Sequence, residues 1–156
     1  MIELSITFIA SFLIWAMVFL LFYNWKDKKF KKEHIFHAGM AGLLVWLIAS
    51  FVKDLFPAVR PFQINGYPPL TLTVPFSSTF PSTHTAVAFA IATSAYLHNK
   101  RLGLRYFVIA LFVALGRYLS NVHFFIDIIG GSVLGITISI ITAKIHLPEL
   151  TKKLIT

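Results

Sequence analysis

The chain has 156 residues, enough for one domain, and 57% of them are hydrophobic with a mean hydropathy of +0.77, too apolar for a soluble fold of this size. It has no cysteine, which removes disulfide frameworks, thiolate nucleophiles and Cys-ligated zinc and leaves the redox compartment unread. The formal charge of +8 would suggest nucleic acid in a soluble protein. Here the lysines and arginines sit in short clusters between apolar runs, as membrane topology signals do, so nucleic acid is excluded as a partner.

Five apolar stretches approach the roughly 20 residues that a membrane span needs. In chain order they are 4–23, 35–56, 85–97, 104–119 and 125–145. The first has no basic residue before it and no small-residue cleavage site after it, so it reads as a retained helix rather than a signal peptide. The third is short, but it lengthens if its helix starts at Ser82, whose side chain suits an N-cap, with Pro81 ending the preceding loop. That start places His84 in the first turn. The long segment 57–81 carries Pro61, Gly66, Pro68, Pro69 and Pro75, which argue against any helix there, and it is expected to roof or line a site. The expected fold is all-α: one polytopic membrane domain over 1–156, a compact bundle of about five transmembrane helices.

The basic residues give an orientation. Lys26, Lys28, Lys29, Lys31 and Lys32 follow the first stretch, Lys100, Arg101 and Arg105 follow the third, and Lys144, Lys152 and Lys153 close the chain. These fall on one face, the expected cytoplasmic side, giving N-terminus out and C-terminus in. Lys53, Arg60 and Arg117 fall on the other face, with His84, His123 and Asp127. An active site is therefore expected at the outer ends of the helices, because ionisable groups at membrane depth are costly and default to function.

The residue types suggest an anion site with proton-transfer groups. His123 and Asp127 are four apart and would share a face at the start of the last helix, where the carboxylate would fix the imidazole tautomer and leave the other nitrogen free to attack. Ser82 and the first amides of the third helix would present donors to an anion. Arginine forks and a lysine would stabilise charge spreading over phosphoryl oxygens. The alternative, snorkelling cations and helix caps that form no site, requires three spaced motifs to meet on one membrane face by coincidence.

Lys-x6-Arg-Pro at Lys53, Arg60 and Pro61, Pro-Ser-x-His at Pro81, Ser82 and His84, and Arg-x5-His-x3-Asp at Arg117, His123 and Asp127 resemble, in this order, the three signature motifs of the type 2 phosphatidic acid phosphatase superfamily. The likeness extends over roughly residues 35 to 145, with the core motifs at 53–127. It implies an integral membrane lipid phosphatase in which His123 is a phosphohistidine-forming nucleophile, Asp127 orients it, and His84 protonates the leaving group and then activates water. It places phosphate on Lys53, Arg60, Ser82, Thr83 and Arg117 and implies no metal and no cofactor. Thr83 stands where the family often has glycine, and Gly116 where the residue before the arginine is usually serine.

The five-span form, the "FPSTHT" wording and the outward-facing site resemble the undecaprenyl-diphosphate phosphatase branch, on the bacterial cytoplasmic membrane with the site outside. Phosphatidylglycerophosphate, phosphatidate and lipid A phosphates are the alternative substrates. A non-catalytic lipid-phosphate binder or transporter is the alternative of another class, and a vanadate-dependent haloperoxidase a third reading that the transmembrane character opposes. The expected partners are the lipid phosphate substrate and membrane lipids, with no obligatory protein partner and a dimer left open. His34, His37, His98 and His146 read as inner-face filler outside the site. Gly131-x3-Gly135 reads as a packing seam within the monomer. The loop sequences "FQINGY" and "VPF" are candidate contacts for a lipid tail.

Overall fold

The computed structural model describes residues 2–23 and 32–146. Lys26, Lys28, Lys29, Lys31, Lys152 and Lys153, six of the eleven residues of the topology signal, lie outside them. The described residues form α1 (Ile2–Tyr23), α2 (Lys32–Leu55), α3 (Pro61–Asn65), α4 (Thr83–His98), α5 (Lys100–Leu119) and α6 (Phe125–His146), with no strand among them. Helices α1, α2, α5 and α6 are long and apolar enough to cross a membrane. At 16 residues α4 is about 24 Å long, short of a bilayer's hydrocarbon thickness.

Burial explains how α4 fits. It is the axis of the bundle, packed against α2, α5 and α6, while α1 leans mainly on α5. Its buried positions are mostly small: Thr85, Ala86, Ala88, Ala90, Ala92, Ser94 and Ala95. The large apolar side chains point outward instead, among them Phe8, Trp15 and Phe19 of α1, Leu47 and Phe51 of α2, and Leu111 and Phe112 of α5. This arrangement suits a lipid solvent, where apolar area gains nothing by burial and helices associate through close packing of small residues.

Helices α4 and α6 pack backbone to backbone. A Cβ at Gly135 would stand 2.2 Å from the Ala86 carbonyl oxygen, and one at Gly131 would stand 2.6 Å from that of Ser82. The Gly131-x3-Gly135 seam therefore lies inside the monomer, as its spacing suggested. It holds the start of α6, which carries Asp127, against the start of α4, which carries His84.

Between α2 and α4 the chain is ordered by polar contacts and does contain one helical turn, contrary to the sequence expectation. Pro61 takes the first position of α3, where its missing N–H is no loss, and Gly66 ends the turn at φ 72°. The Arg60 N–H donates to Gln63 Oε1 at 2.7 Å and closes the turn. Asn65 and Asn121 exchange side-chain hydrogen bonds of 2.8 and 3.1 Å, and Leu70 N–H donates to Ser120 O at 2.9 Å. The segment is thereby strapped to the α5–α6 turn.

Gly135→Ala is expected to lower the detergent thermal midpoint, by the equivalent of about 1–3 kcal/mol, because the α4–α6 seam must open. Gly39→Ala, with nothing within 4 Å of the added Cβ, is expected to leave the midpoint unchanged or raise it slightly. Thermal unfolding of the two variants side by side is the check.

Candidate active site

Five elements meet at the end of the bundle where α2 finishes and α4 and α6 begin. They enclose a cavity of about 460 Å³ lined by Lys53, Arg60, Thr83, His84, Arg117 and His123 among others. Six of the eight residues singled out from the sequence thus share one wall. Asp127 sits directly behind His123, and Ser82 is buried beneath the wall without lining it.

Each cation is held by main-chain oxygen. Lys53, in the last turn of α2, donates to the carbonyls of Ser78 and Thr79. Arg60 donates from Nε to Ser77 O at 2.9 Å, from Nη1 to Val122 O at 2.9 Å and from Nη2 to Ser78 O at 3.2 Å. Arg117, in the last turn of α5, donates from Nη1 to Ala10 O of α1 at 3.1 Å, and its buried Nε–H has no hydrogen-bond partner among the described residues. All three side chains are buried, and Asp127 is the one buried carboxylate among the described residues. Carbonyl dipoles solvate these charges but do not neutralise them, so the wall carries excess positive charge in a low-dielectric setting.

His123 precedes α6 rather than sitting on it, so the sequence expectation of a shared helical face is corrected. Only Asp127 lies in the first turn. The pair still meets, because the chain turns at Asn121, in a left-handed conformation (φ 61°) that asparagine tolerates, and brings Nδ1 of His123 to 3.4 Å from Oδ2 of Asp127. The same oxygen accepts the Phe124 N–H at 2.7 Å and the Thr79 hydroxyl at 2.5 Å. Burial drives the His123 pKa down from 6.5 to about 4, the Asp127 hydrogen bond opposes this, and Arg117, Arg60 and Lys53 add to the depression. The free imidazole is therefore uncharged near neutral pH, with Nδ1 committed to Asp127 and Nε2 available.

Ser82 occupies the N-cap position of α4 but makes no side-chain cap. Its oxygen accepts the Thr85 hydroxyl at 3.0 Å, and its N–H donates to Asp127 O at 3.0 Å, which locks the starts of α4 and α6 together through the main chain. Gly116 has a structural reason: a Cβ there would stand 2.7 Å from Ile9 Cγ2 and 3.1 Å from Ala10 N. Its absence lets α1 approach closely enough for Ala10 to receive Arg117.

The remaining cavity wall is apolar and comes from the helices. Ile14, Trp15 and Val18 of α1, Trp46 of α2 and Val87 of α4 continue it away from the cations. Of the two loop sequences considered for a lipid tail, only Pro75 lines the cavity, whereas Ile64, Tyr67, Val74 and Phe76 face outward. Sequence reasoning missed this use of α1, which has no motif and no charged residue near the site. It also missed Thr79, which lay in the quoted "TFPSTHT" and carried no recognisable signal.

Three of the histidines read as filler, His34, His37 and His98, interact with one another at the opposite end of the bundle from the cavity, and the side chain of His146 lies outside the described residues. His37 is buried, its Nδ1 lies 2.9 Å from His98 Nε2 and 3.1 Å from Ser94 Oγ, and His34 stacks on His98 with ring centroids 4.0 Å apart. Among the described residues, no three His, Asp or Glu side chains are arranged to hold a metal ion, and this cluster is separate from the cavity.

The fold and the cavity are those of a helical membrane bundle with a cluster of imidazoles and buried cations at one end. The chain belongs to the PAP2 superfamily, whose family model matches residues 33–149. It is 24% identical over 130 residues to the bacitracin transport permease protein BcrC of Bacillus licheniformis, covering 83% of this chain and 64% of that protein, so it spans less than two thirds of that relative's length. The crystal structure of Aquifex aeolicus LpxE matches with a TM-score of 0.76 and 26% identity, over 92% of this chain and 86% of that one. A transmembrane PAP2-type phosphatidylglycerolphosphate phosphatase from Bacillus subtilis shares the fold, with a TM-score of 0.70 and 22% identity over 95% of this chain and 76% of that one.

The depressed His123 pKa sets a pH expectation. In the nucleophile role that the family resemblance implies, His123 must be neutral to act and is lost only as pH falls through its own pKa, so the acid limb of kcat/KM is expected near pH 4 and not near 6.5. The unfolded chain takes up the same proton near its ordinary pKa of 6.5, so stability also declines as pH falls from there toward 4. Initial rates on protein kept folded at each pH separate the two effects.

Proposed function

We propose that this membrane lipid phosphatase hydrolyses a lipid phosphomonoester or diphosphate, undecaprenyl diphosphate first among them, through a phosphohistidine intermediate at the outer face of a bacterial cytoplasmic membrane. The observation that carries the reading is the set of three buried cations around one carboxylate, with an unpartnered Arg117 Nε–H, on the wall of a cavity whose other end is apolar. A phosphate group would supply the missing negative charge, and a hydrocarbon chain would lie along Ile14, Val18 and Trp46.

In this mechanism Nε2 of His123 attacks phosphorus as the bond to the leaving oxygen breaks, and His84 gives that oxygen its proton. Lys53, Arg60 and Arg117 balance the charge on the transferring phosphoryl group, joined by the amides of Thr83 and His84, while Ser82 supports the start of α4 from beneath. Nδ1–H stays on Asp127, which stabilises the positive charge that forms on the ring. Water then takes the leaving-group position and gives a proton to His84. The resulting hydroxide attacks phosphorus, the P–N bond breaks, and His123 returns neutral as inorganic phosphate departs.

The substrate choice rests on the "FPSTHT" wording and the long apolar slot beside the cations, while phosphatidylglycerophosphate, phosphatidate and lipid A phosphates are the alternatives the same phosphate site would accept. One observation favours a second reading, a lipid-phosphate binder or transporter: the relative BcrC is named a bacitracin transport permease. The oriented His123–Asp127 pair opposes it, since binding alone needs no nucleophile.

Purified protein in detergent with EDTA is expected to release phosphate from undecaprenyl diphosphate faster than from phosphatidylglycerophosphate, phosphatidate or lipid A. His123→Ala is expected to lose on the order of 10³-fold or more. A different ranking would reassign the substrate, and an active His123→Ala protein would remove the phosphohistidine.

A further inference from the structure

Thr79 is buried, lies outside the signature motifs and does not line the cavity, yet it touches more of the site than any motif residue does. Its hydroxyl donates to Asp127 Oδ2 at 2.5 Å, and the same oxygen lies 3.3 Å from His123 Nδ1. Its carbonyl accepts from Lys53, and its N–H donates to Ala58 O at 3.1 Å.

We infer that Thr79 is a positioning residue for the phosphoryl-transfer step, its hydroxyl completing a three-member relay with Asp127 and His123; this rests on the phosphohistidine reading above. A hydroxyl has one proton and two lone pairs. The proton is committed to Asp127, since the other acceptor in reach, Val122 O, is 3.5 Å away. A lone pair is then turned toward His123, so the Nδ1–H is shared between Asp127 Oδ2 at 3.4 Å and Thr79 Oγ1 at 3.3 Å. Neither contact is short, and a ring held by Asp127 alone would rest on one long hydrogen bond. Two acceptors, themselves bonded to each other, define the ring plane and hold the proton on Nδ1, which keeps Nε2 unprotonated and aimed at the cavity.

The geometry separates this role from the folding role of the same residue. Both main-chain bonds survive in Thr79→Val, which keeps the shape and loses the hydroxyl. Thr79→Ser keeps the hydroxyl and loses a methyl group.

The test is steady-state phosphate release from undecaprenyl diphosphate by wild type, Thr79→Val, Thr79→Ser, Asp127→Ala, Thr79→Val with Asp127→Ala, and His123→Ala, with thermal midpoints recorded for each. Thr79→Val is expected to lower kcat roughly ten-fold with KM changed less than about two-fold, the loss of one hydrogen bond to a charged group. Thr79→Ser is expected to restore most of the rate, and adding Thr79→Val to Asp127→Ala to cost nothing further, because the hydroxyl acts through that carboxylate. Wild-type kcat in Thr79→Val beside an inactive His123→Ala overturns the relay while leaving the nucleophile in place. Equal losses in the valine and serine variants also overturn it, and that comparison stands without the double variant. An active His123→Ala protein removes the reading beneath it.

Discussion

Lys53, Arg60 and Arg117 are held out of water around a single buried carboxylate, and this concentration of like charge is what the rest of the bundle has to accommodate. Burial of an ion without compensation is costly, and like charges raise the cost further. The protein meets it with main-chain oxygen drawn from three separate places: residues 77–79, Val122, and Ala10 of α1. This explains why a proline-rich segment of loop is ordered at all. Its carbonyls solvate two of the cations, so it cannot leave without stranding them.

Those carbonyls must stand still, and their rigidity comes from the small residues of α4 and its neighbours. The Gly131 and Gly135 contacts bring α6 against the α4 backbone, and the Ser82 N–H to Asp127 carbonyl bond joins the two helix starts directly. Asp127 and His84 therefore sit on helices whose separation is set by van der Waals contact. Gly116 does the same for α1 and α5, with the consequence that a helix carrying no motif supplies one of the ligands of Arg117.

The cavity joins two solvents. At one end a wall of cations, imidazoles and helix-start amides suits a phosphate, and at the other Ile14, Trp15, Val18, Trp46 and Val87 offer an apolar slot. In the proposed function the polar end carries out the chemistry and the apolar end holds the tail. The slot runs between α1 and α2, so changes in substrate preference would arise from those helices while the phosphate chemistry stays the same.

Much of this was legible in the residues alone. Hydropathy and length located every long helix, because a bilayer demands a long apolar run wherever the chain crosses it. The spacing of Lys53, Arg60, His84, Arg117, His123 and Asp127 anticipated that these side chains would gather at one end of the bundle, because charged groups are too costly at that depth to be scattered. Tertiary structure decided what the spacing could not. Pro61 started a helical turn because its ring fits the first helical position, and Ser82 turned its hydroxyl to Thr85 instead of capping α4. His123 reached Asp127 from a turn rather than from a helix face, and Thr79 and α1 entered the site with no motif to announce them. Residues that act through the main chain, or through a single hydroxyl aimed by packing, leave no pattern in composition or period. Their contribution exists only once distant parts of the chain are brought within hydrogen-bonding distance.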